Sequence, residues 1–150
     1  MQFISPQALR IFINKCVELE LLNPNLQDYD LAELGQALKP ERDQNFSYLG
    51  LQTLYDRYFI HHDEIRFELP QVFFMRIAMG LAREELDRTA RAIEFYDLLS
   101  SFDYMSSTPT LFNSGTLRPQ LSSLFGRSID CFSGKLHVCG PGDTSTTRAR

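Results

Sequence analysis

Pro70-Gln71-Val72-Phe73-Phe74-Met75-Arg76-Ile77-Ala78-Met79-Gly80-Leu81 is the stretch on which the fold turns. Proline belongs at the first position of a helix, where its missing N–H costs nothing, and the spacing predicts a helix from Gln71 to about Arg83. Val72, Phe73, Phe74, Met75, Ile77, Ala78, Met79 and Leu81 leave that helix almost no polar face. A helix apolar nearly all round belongs in the centre of a bundle, and its Met and Phe side chains read as core packing, not as a cofactor box.

Working outward, the segments before it supply the helices that would surround it. Ser5-Pro6 reads as a helix start, and Leu9, Phe12, Ile13, Cys16 and Val17 form one buried stripe that should stop near Leu22, ahead of Asn23-Pro24-Asn25. Asp30 with Glu33 resembles a capping box ahead of a short helix at about 31 to 38, closed by Lys39-Pro40. Ser47 is a plausible cap for a third helix through Leu51, Leu54 and Tyr55, running to about Arg57. The period then changes to two. Tyr58, Ile60, Ile65 and Phe67 alternate with polar neighbours, which predicts a small β-hairpin at about 58 to 68 with His61-His62-Asp63-Glu64 at its tip. Adjacent strand residues point to opposite faces, so those four read as an exposed polar turn and not as a metal cluster. Beyond the central helix, Glu85 to Phe102 predicts a fifth, with Leu86, Ala90, Ile93, Tyr96 or Asp97, and Leu99 facing inward.

Composition bounds what such a bundle can do. The chain has 150 residues, 43% of them hydrophobic, with 12 Phe, 6 Tyr and no Trp, so one domain with an aromatic core is affordable. A formal net charge of −4 without any Lys/Arg cluster argues against nucleic acid as a partner. No apolar run approaches the roughly 18 residues that span a bilayer, and the N-terminus is not a signal peptide, which makes the cytoplasm the expected compartment. Three cysteines do not make a disulfide framework, and Cys16 falls on the buried helical stripe as a small hydrophobe.

Residues 106–123 stand apart. Ser106, Ser107, Thr108, Thr110, Ser114, Thr116, Ser122 and Ser123 crowd between two prolines and a glycine, with Asn113 and Gln120 as amides and Arg118 as the one charge. Neutral hydroxyl and backbone N–H donors of this kind suit an anion cradle, while the same residues equally build an ordinary surface loop.

Ser107-Thr108-Pro109-Thr110-Leu111-Phe112-Asn113-Ser114-Gly115-Thr116, running into Gln120-Leu121-Ser122-Ser123, resembles the start of the catalytic barrel in the large subunit of class I ribonucleotide reductases. Asp30-Leu31-Ala32-Glu33-Leu34, Tyr48 to Tyr58, Glu68-Leu69-Pro70-Gln71 and Ser100-Ser101-Phe102 are similar to that family's N-terminal helical domain, so the likeness covers about residues 10 to 123. The resemblance implies reduction of ribonucleoside diphosphates to deoxyribonucleotides for DNA synthesis, nucleoside triphosphate effectors, a second large chain in a dimer, and a small metal-containing subunit as radical source. It implies that Thr108 and Ser123 contact the substrate. It also exposes a departure. The Ser-Ser pair of the family is followed by a redox cysteine, and here that position is Leu124, which has no thiol to oxidise. The chain is therefore expected to be inactive alone, with no catalytic residue, metal site or cofactor of its own.

The fold class expected is mainly α: a helical bundle with one small β-hairpin, leading into the first segment of a truncated α/β barrel. The division expected is a helical domain at 1–105, the barrel start at 106–124, and a tail at 125–150 outside the family resemblance. Four of the eight glycines and two of the three cysteines fall in that tail, and apolar periodicity stops there, so it is expected to be disordered. A frameshift, an insertion boundary or a wrong gene end near codon 124 would account for the change. A self-splicing insertion would need a nucleophile at the junction, which Leu124 is not. Cys131, His137 and Cys139 carry zinc-compatible ligand types, but their spacing matches no known finger. The alternative function is a stand-alone helical binding module, directed at a reductase subunit. A severed fragment would instead expose Phe73, Phe74, Phe102 and Phe112.

Overall fold

A computed structural model describes residues 6–63, 65–66 and 68–121. Its elements are α1 (Pro6–Glu18), α2 (Leu31–Ala37), α3 (Tyr48–Arg57), β1 (His61–His62), β2 (Ile65–Arg66), α4 (Pro70–Leu81), α5 (Arg88–Ser100) and α6 (Thr108–Asn113). Three 3-10 turns, Pro24–Asp28, Pro40–Asn45 and Ala82–Glu84, join them. The fold is mainly helical with one two-stranded antiparallel sheet, as the periodicity predicts. Among the described residues, no helix is long and apolar enough to cross a membrane.

α4 is the axis of the bundle. Every residue from Gln71 to Met79 is buried, α5 lies along it, and α1 packs on α2 beside the pair. Phe73 and Phe74 are completely enclosed, with Phe59 and Phe46 against them at ring-centre distances of 5.5 and 5.9 Å. These two phenylalanines therefore belong to the core and not to an exposed barrel-facing surface, whereas Phe102 and Phe112 are 38% and 40% exposed.

Helix boundaries follow the capping residues. Asp30 Oδ1 accepts hydrogen bonds from the Ala32 and Glu33 N–H groups, and Ser47 Oγ accepts one from Gly50, so both expected caps are formed. α5 runs from Arg88 to Ser100, inside the expected Glu85 to Phe102, because Asp87 caps it through the Ala90 N–H. Its buried face is Ala92, Tyr96, Leu99 and Ser100; Leu86 precedes the helix fully exposed, and Ala90 points outward. α1 buries the expected Leu9, Phe12, Ile13 and Cys16 but stops at Glu18, short of Leu22. There Glu20 turns left-handed at φ 55°, Leu21 N–H reaches the Cys16 carbonyl at 2.9 Å and Glu20 N–H the Val17 carbonyl at 3.0 Å. That pair of bonds is a Schellman ending, made here without the usual glycine. The expected start at Ser5 lies outside the described residues.

The hairpin is shorter than the alternation suggests. His61 pairs with Arg66 and His62 with Ile65, so both histidines are in the ladder and Asp63, at φ 48°, begins the reversal. Tyr58 instead closes α3, its N–H on the Leu54 carbonyl. The Arg66 Nε–H donates to the Tyr55 carbonyl at 2.6 Å and its guanidinium lies over the Tyr55 ring, which pins the hairpin to α3.

Polar bonds lace the helices together on one side. Lys39 Nζ and Arg42 Nη1 both donate to Asp97 Oδ1, at 2.6 and 2.9 Å, and Arg42 also reaches Ser100 Oγ. Partial burial acts to raise the Asp97 carboxyl, but the Lys39 hydrogen bond and the two cations outweigh it and hold the group below its ordinary value. Deeper in, Tyr96 Oη–H donates to Gln71 Oε1, Gln71 Nε2–H donates to Asp43 Oδ1, and Tyr96 Oη accepts from the Lys39 N–H. Burial pushes both the Tyr96 phenol and the Asp43 carboxyl upward.

Candidate functional site

The hydroxyl-rich stretch is not a plain loop. Its first half is α6, with Ser107 at the N-cap position and Pro109 in the first turn, where a missing N–H breaks no helical bond. Several of its polar side chains bond to the protein's own main chain. Ser114 Oγ–H donates to the Ile77 carbonyl at 2.8 Å, Thr110 Oγ1–H to the Leu121 carbonyl at 3.3 Å, and Thr116 Oγ1–H to the Asn113 carbonyl at 2.8 Å. Asn113 Nδ2–H donates to the Gln120 carbonyl, and Ser106 is buried. These donors serve the stretch's own shape. Ser107 and Thr108 are exposed at the start of α6, and Arg118 and Gln120 are exposed after it. Ser122, Ser123 and Leu124 lie outside the described residues, as do Cys131, His137 and Cys139.

What fixes α6 and the turn after it, hereafter the strap, is a buried arginine. Arg76 sits mid-helix in α4 with its side chain wholly enclosed. Its Nε–H donates to Glu68 Oε1 at 2.6 Å, and the Glu68 side chain is equally enclosed. Nη1–H donates to the Ser114 carbonyl at 2.5 Å, and Nη2 donates both to the Leu111 carbonyl at 3.3 Å and to Glu68 Oε2 at 3.4 Å. Glu68 Oε2 also accepts the Ile60 N–H at 3.0 Å. Isolated burial of either charge would be prohibitive, and here the fork of the guanidinium divides itself between a carboxylate and two carbonyls, that of Leu111 in α6 and that of Ser114 just after it. No buried polar side-chain atom among the described residues lacks a partner.

Three further contacts complete the seat. Gly80 and Gly115 let the strap approach α4 at backbone distance, and Gly115 takes φ 80°, a conformation that suits glycine. Thr116 bridges to Leu22, and Asn23 N–H donates to the Gly115 carbonyl at 2.9 Å. On the outer side the Phe112 ring stacks on Tyr58 with centres 4.6 Å apart. Beneath the seat, burial, reinforced by the Glu68 charge, pushes the Cys16 thiol up to about 12, so it is a packing residue and not a nucleophile.

Neither Arg76 nor Glu68 is singled out by the periodicity of the sequence. The signal that points to them is one charge in an otherwise apolar central helix, together with a carboxylate two residues before the proline that opens it. Among the described residues no group of three or more His, Cys, Asp or Glu is placed to hold a metal ion.

Residues 44–119 match the family model described as ribonucleotide reductase, all-alpha domain. The ribonucleoside-diphosphate reductase subunit alpha of Chlamydia muridarum is 56% identical over 105 residues, which cover 69% of this chain and 10% of the relative. The protein of the same name from Helicobacter pylori is 48% identical over 110 residues, 72% of this chain and 14% of the relative. The large subunit from Plasmodium falciparum is 36% identical over 108 residues, 70% of this chain and 13% of the relative. The chain thus spans between a tenth and a seventh of the length of these relatives. The motifs quoted above and the helical architecture built on α4 lead to the same place as these likenesses: the chain belongs to the ribonucleotide reductase large-subunit family and carries its all-alpha domain.

Proposed function

We propose that this chain forms the substrate-facing edge of a ribonucleoside-diphosphate reductase large subunit, with Thr108 and Ser123 offering hydroxyls to the diphosphate of the ribonucleotide. Thr108 is exposed on a turn whose backbone is clamped from behind, and that observation carries the reading. A hydroxyl held on a fixed turn loses little freedom when it bonds a phosphate oxygen, and a hydrogen bond to a charged group contributes about 1.5–3 kcal/mol. The relatives' names give a ribonucleoside diphosphate as what those proteins reduce.

The chemistry of the reduction lies elsewhere. Leu124 cannot be oxidised to a disulfide, so this chain binds and orients without supplying electrons. In the assembled enzyme, radical generation falls to a small metal-containing subunit, regulation to nucleoside triphosphates, and the setting is a cytoplasmic large-subunit dimer making DNA precursors.

Titration of the ¹⁵N-labelled chain with cytidine diphosphate tests the reading. The Thr108 and Ser123 amides should shift together and saturably, and Thr108→Ala should weaken binding about tenfold or more. Shifts confined to other surfaces would refute it.

A further inference from the structure

We infer that Arg76 is the positioning residue of this site: by holding the Leu111 and Ser114 carbonyls, it sets how α6 presents Thr108 to a ribonucleoside diphosphate. The inference rests on the reading of Thr108 as a substrate contact. It begins from an energetic oddity. A buried ion pair is a weak source of stability, since well-packed apolar residues of similar volume often do as well. Arg76 and Glu68 nevertheless occupy the centre of the core, and the pairing leaves Nη1 aimed at the strap and Nη2 shared between the strap and the second Glu68 oxygen.

The geometry explains what a guanidinium does there that a leucine would not. The α6 helix has six residues, too few to hold itself in water, and its last carbonyls have no helical partner. Arg76 supplies a charge-assisted bond to the carbonyl of Leu111 and another to that of Ser114, and so grips both the helix and the turn that follows. Glu68 fixes the Nε edge of the same plane, so the guanidinium cannot rotate about its axis. Ser114 Oγ adds a neutral bond to α4 through Ile77. The strap is therefore seated in one register on α4. Thr108 stands on its far side, exposed.

Arg76→Lys keeps the positive charge beside Glu68 but replaces a planar fork by a single ammonium, which cannot serve a carboxylate and two carbonyls in three directions. Ser114→Ala loosens the same strap without touching the ion pair, and stays informative if the lysine variant does not fold. In the 150-residue chain, Arg76→Lys should speed amide hydrogen exchange in residues 110–116 about tenfold or more relative to the core of α1 and α5, with Ser114→Ala giving a smaller change in the same direction. Both variants should weaken cytidine diphosphate binding in proportion to that opening. Leu34→Ala, a cavity variant remote from the strap, should lower the melting temperature while leaving strap exchange and binding as in the parent.

Exchange that rises uniformly over the protein, or a strap that stays protected in both variants, overturns the inference. So does parent-like diphosphate binding by both variants when Thr108→Ala has lost it. If Thr108→Ala itself binds like the parent, the substrate reading fails and takes the positioning role with it, while strap exchange still reports independently whether Arg76 is the anchor.

Discussion

Gly80 and Gly115 meet backbone to backbone: a Cβ placed on Gly80 would lie 2.3 Å from the Gly115 nitrogen and equally close to Ser114 Oγ. Alanine at an interior helical position is ordinarily better than glycine by about 1 kcal/mol. At position 80 the contact is with main chain, which cannot swing aside like a side-chain tip, so the steric cost exceeds the helical gain. Gly80→Ala should lower stability by about 1–3 kcal/mol, measured by urea unfolding, with the strap the first part to lose exchange protection. An alanine that stabilises the protein would show that the two glycines do not need to touch.

The Arg76–Glu68 pair should be costly to break and cheap to delete only in part. Arg76→Met leaves a carboxylate enclosed without its partner and should cost about 3–5 kcal/mol. Joining it to Glu68→Leu removes that unpaired charge, so the double variant should recover part of the loss. It should not recover all of it, because the Ile60 N–H and the Leu111 and Ser114 carbonyls then lose their partners. A double-mutant cycle in urea should give a coupling of about 2 kcal/mol or more, and strictly additive losses would contradict the arrangement.

Glu20 closes α1 in a conformation that penalises any side chain with a Cβ. Glu20→Gly should raise stability by about 0.5–1 kcal/mol, the relief of left-handed strain less the extra freedom glycine gives the unfolded chain. Thermal melts of the two proteins decide it, and a lower melting temperature for the glycine variant would contradict the Schellman ending.

Stability should depend on pH at both extremes. Burial raises the Cys16 thiol and the Tyr29 phenol to about 12 each, the latter with its hydroxyl on the Met79 carbonyl. Each group keeps its proton in the folded protein at pH values where the unfolded chain has lost it. Their contribution is therefore complete below the unfolded values, near 9 and 10, and drains away as the pH rises toward 12. Cys16→Ala should flatten the part of the decline that starts near 9. Asp97 works in the opposite sense: its lowered value means that its contribution is present above the ordinary carboxylate range and is lost as the pH falls through its folded value. Urea midpoints across the pH range, with Asp97→Asn as the acid-side control, measure both effects.

Much of this architecture is legible in the residue pattern because the determinants are local. The Leu9, Phe12, Ile13, Cys16 stripe, the Asp30 and Ser47 caps and the unbroken apolar run of α4 each act within one or two helical turns. What the pattern conceals is decided by distant partners. Glu20 gives no sign of ending a helix, because its left-handed turn is a cost that packing of Leu21 and Leu22 offsets. α5 starts at Arg88 with Asp87 as its cap, and packing against the rest of the bundle buries Ala92 where the periodicity points to Ala90. The Ser and Thr content between 106 and 121 is that of a loop, yet α6 forms, with Arg76, far away in sequence, on the Leu111 carbonyl and the Ser114 and Thr116 N–H groups on those of Thr110 and Asn113. Thr108 is recognisable as a candidate contact from motif alone; Arg76 stands out in sequence only as the one charge of an apolar helix, and its partners on the strap are visible only in three dimensions.

The bridge between Leu22 and Thr116, with Asn23 on the Gly115 carbonyl, joins the exit of the first helix to the turn after α6. On a ribosome the chain emerges from its N-terminus, so α1 waits with its C-terminal turn uncovered until the strap has been made. Contacts this distant in sequence carry the largest closure entropy and form late. A nascent chain arrested before residue 114 should therefore hold Arg76 on Glu68 with the Ser114 carbonyl bond still unmade, and leave the end of α1 uncovered until the strap arrives.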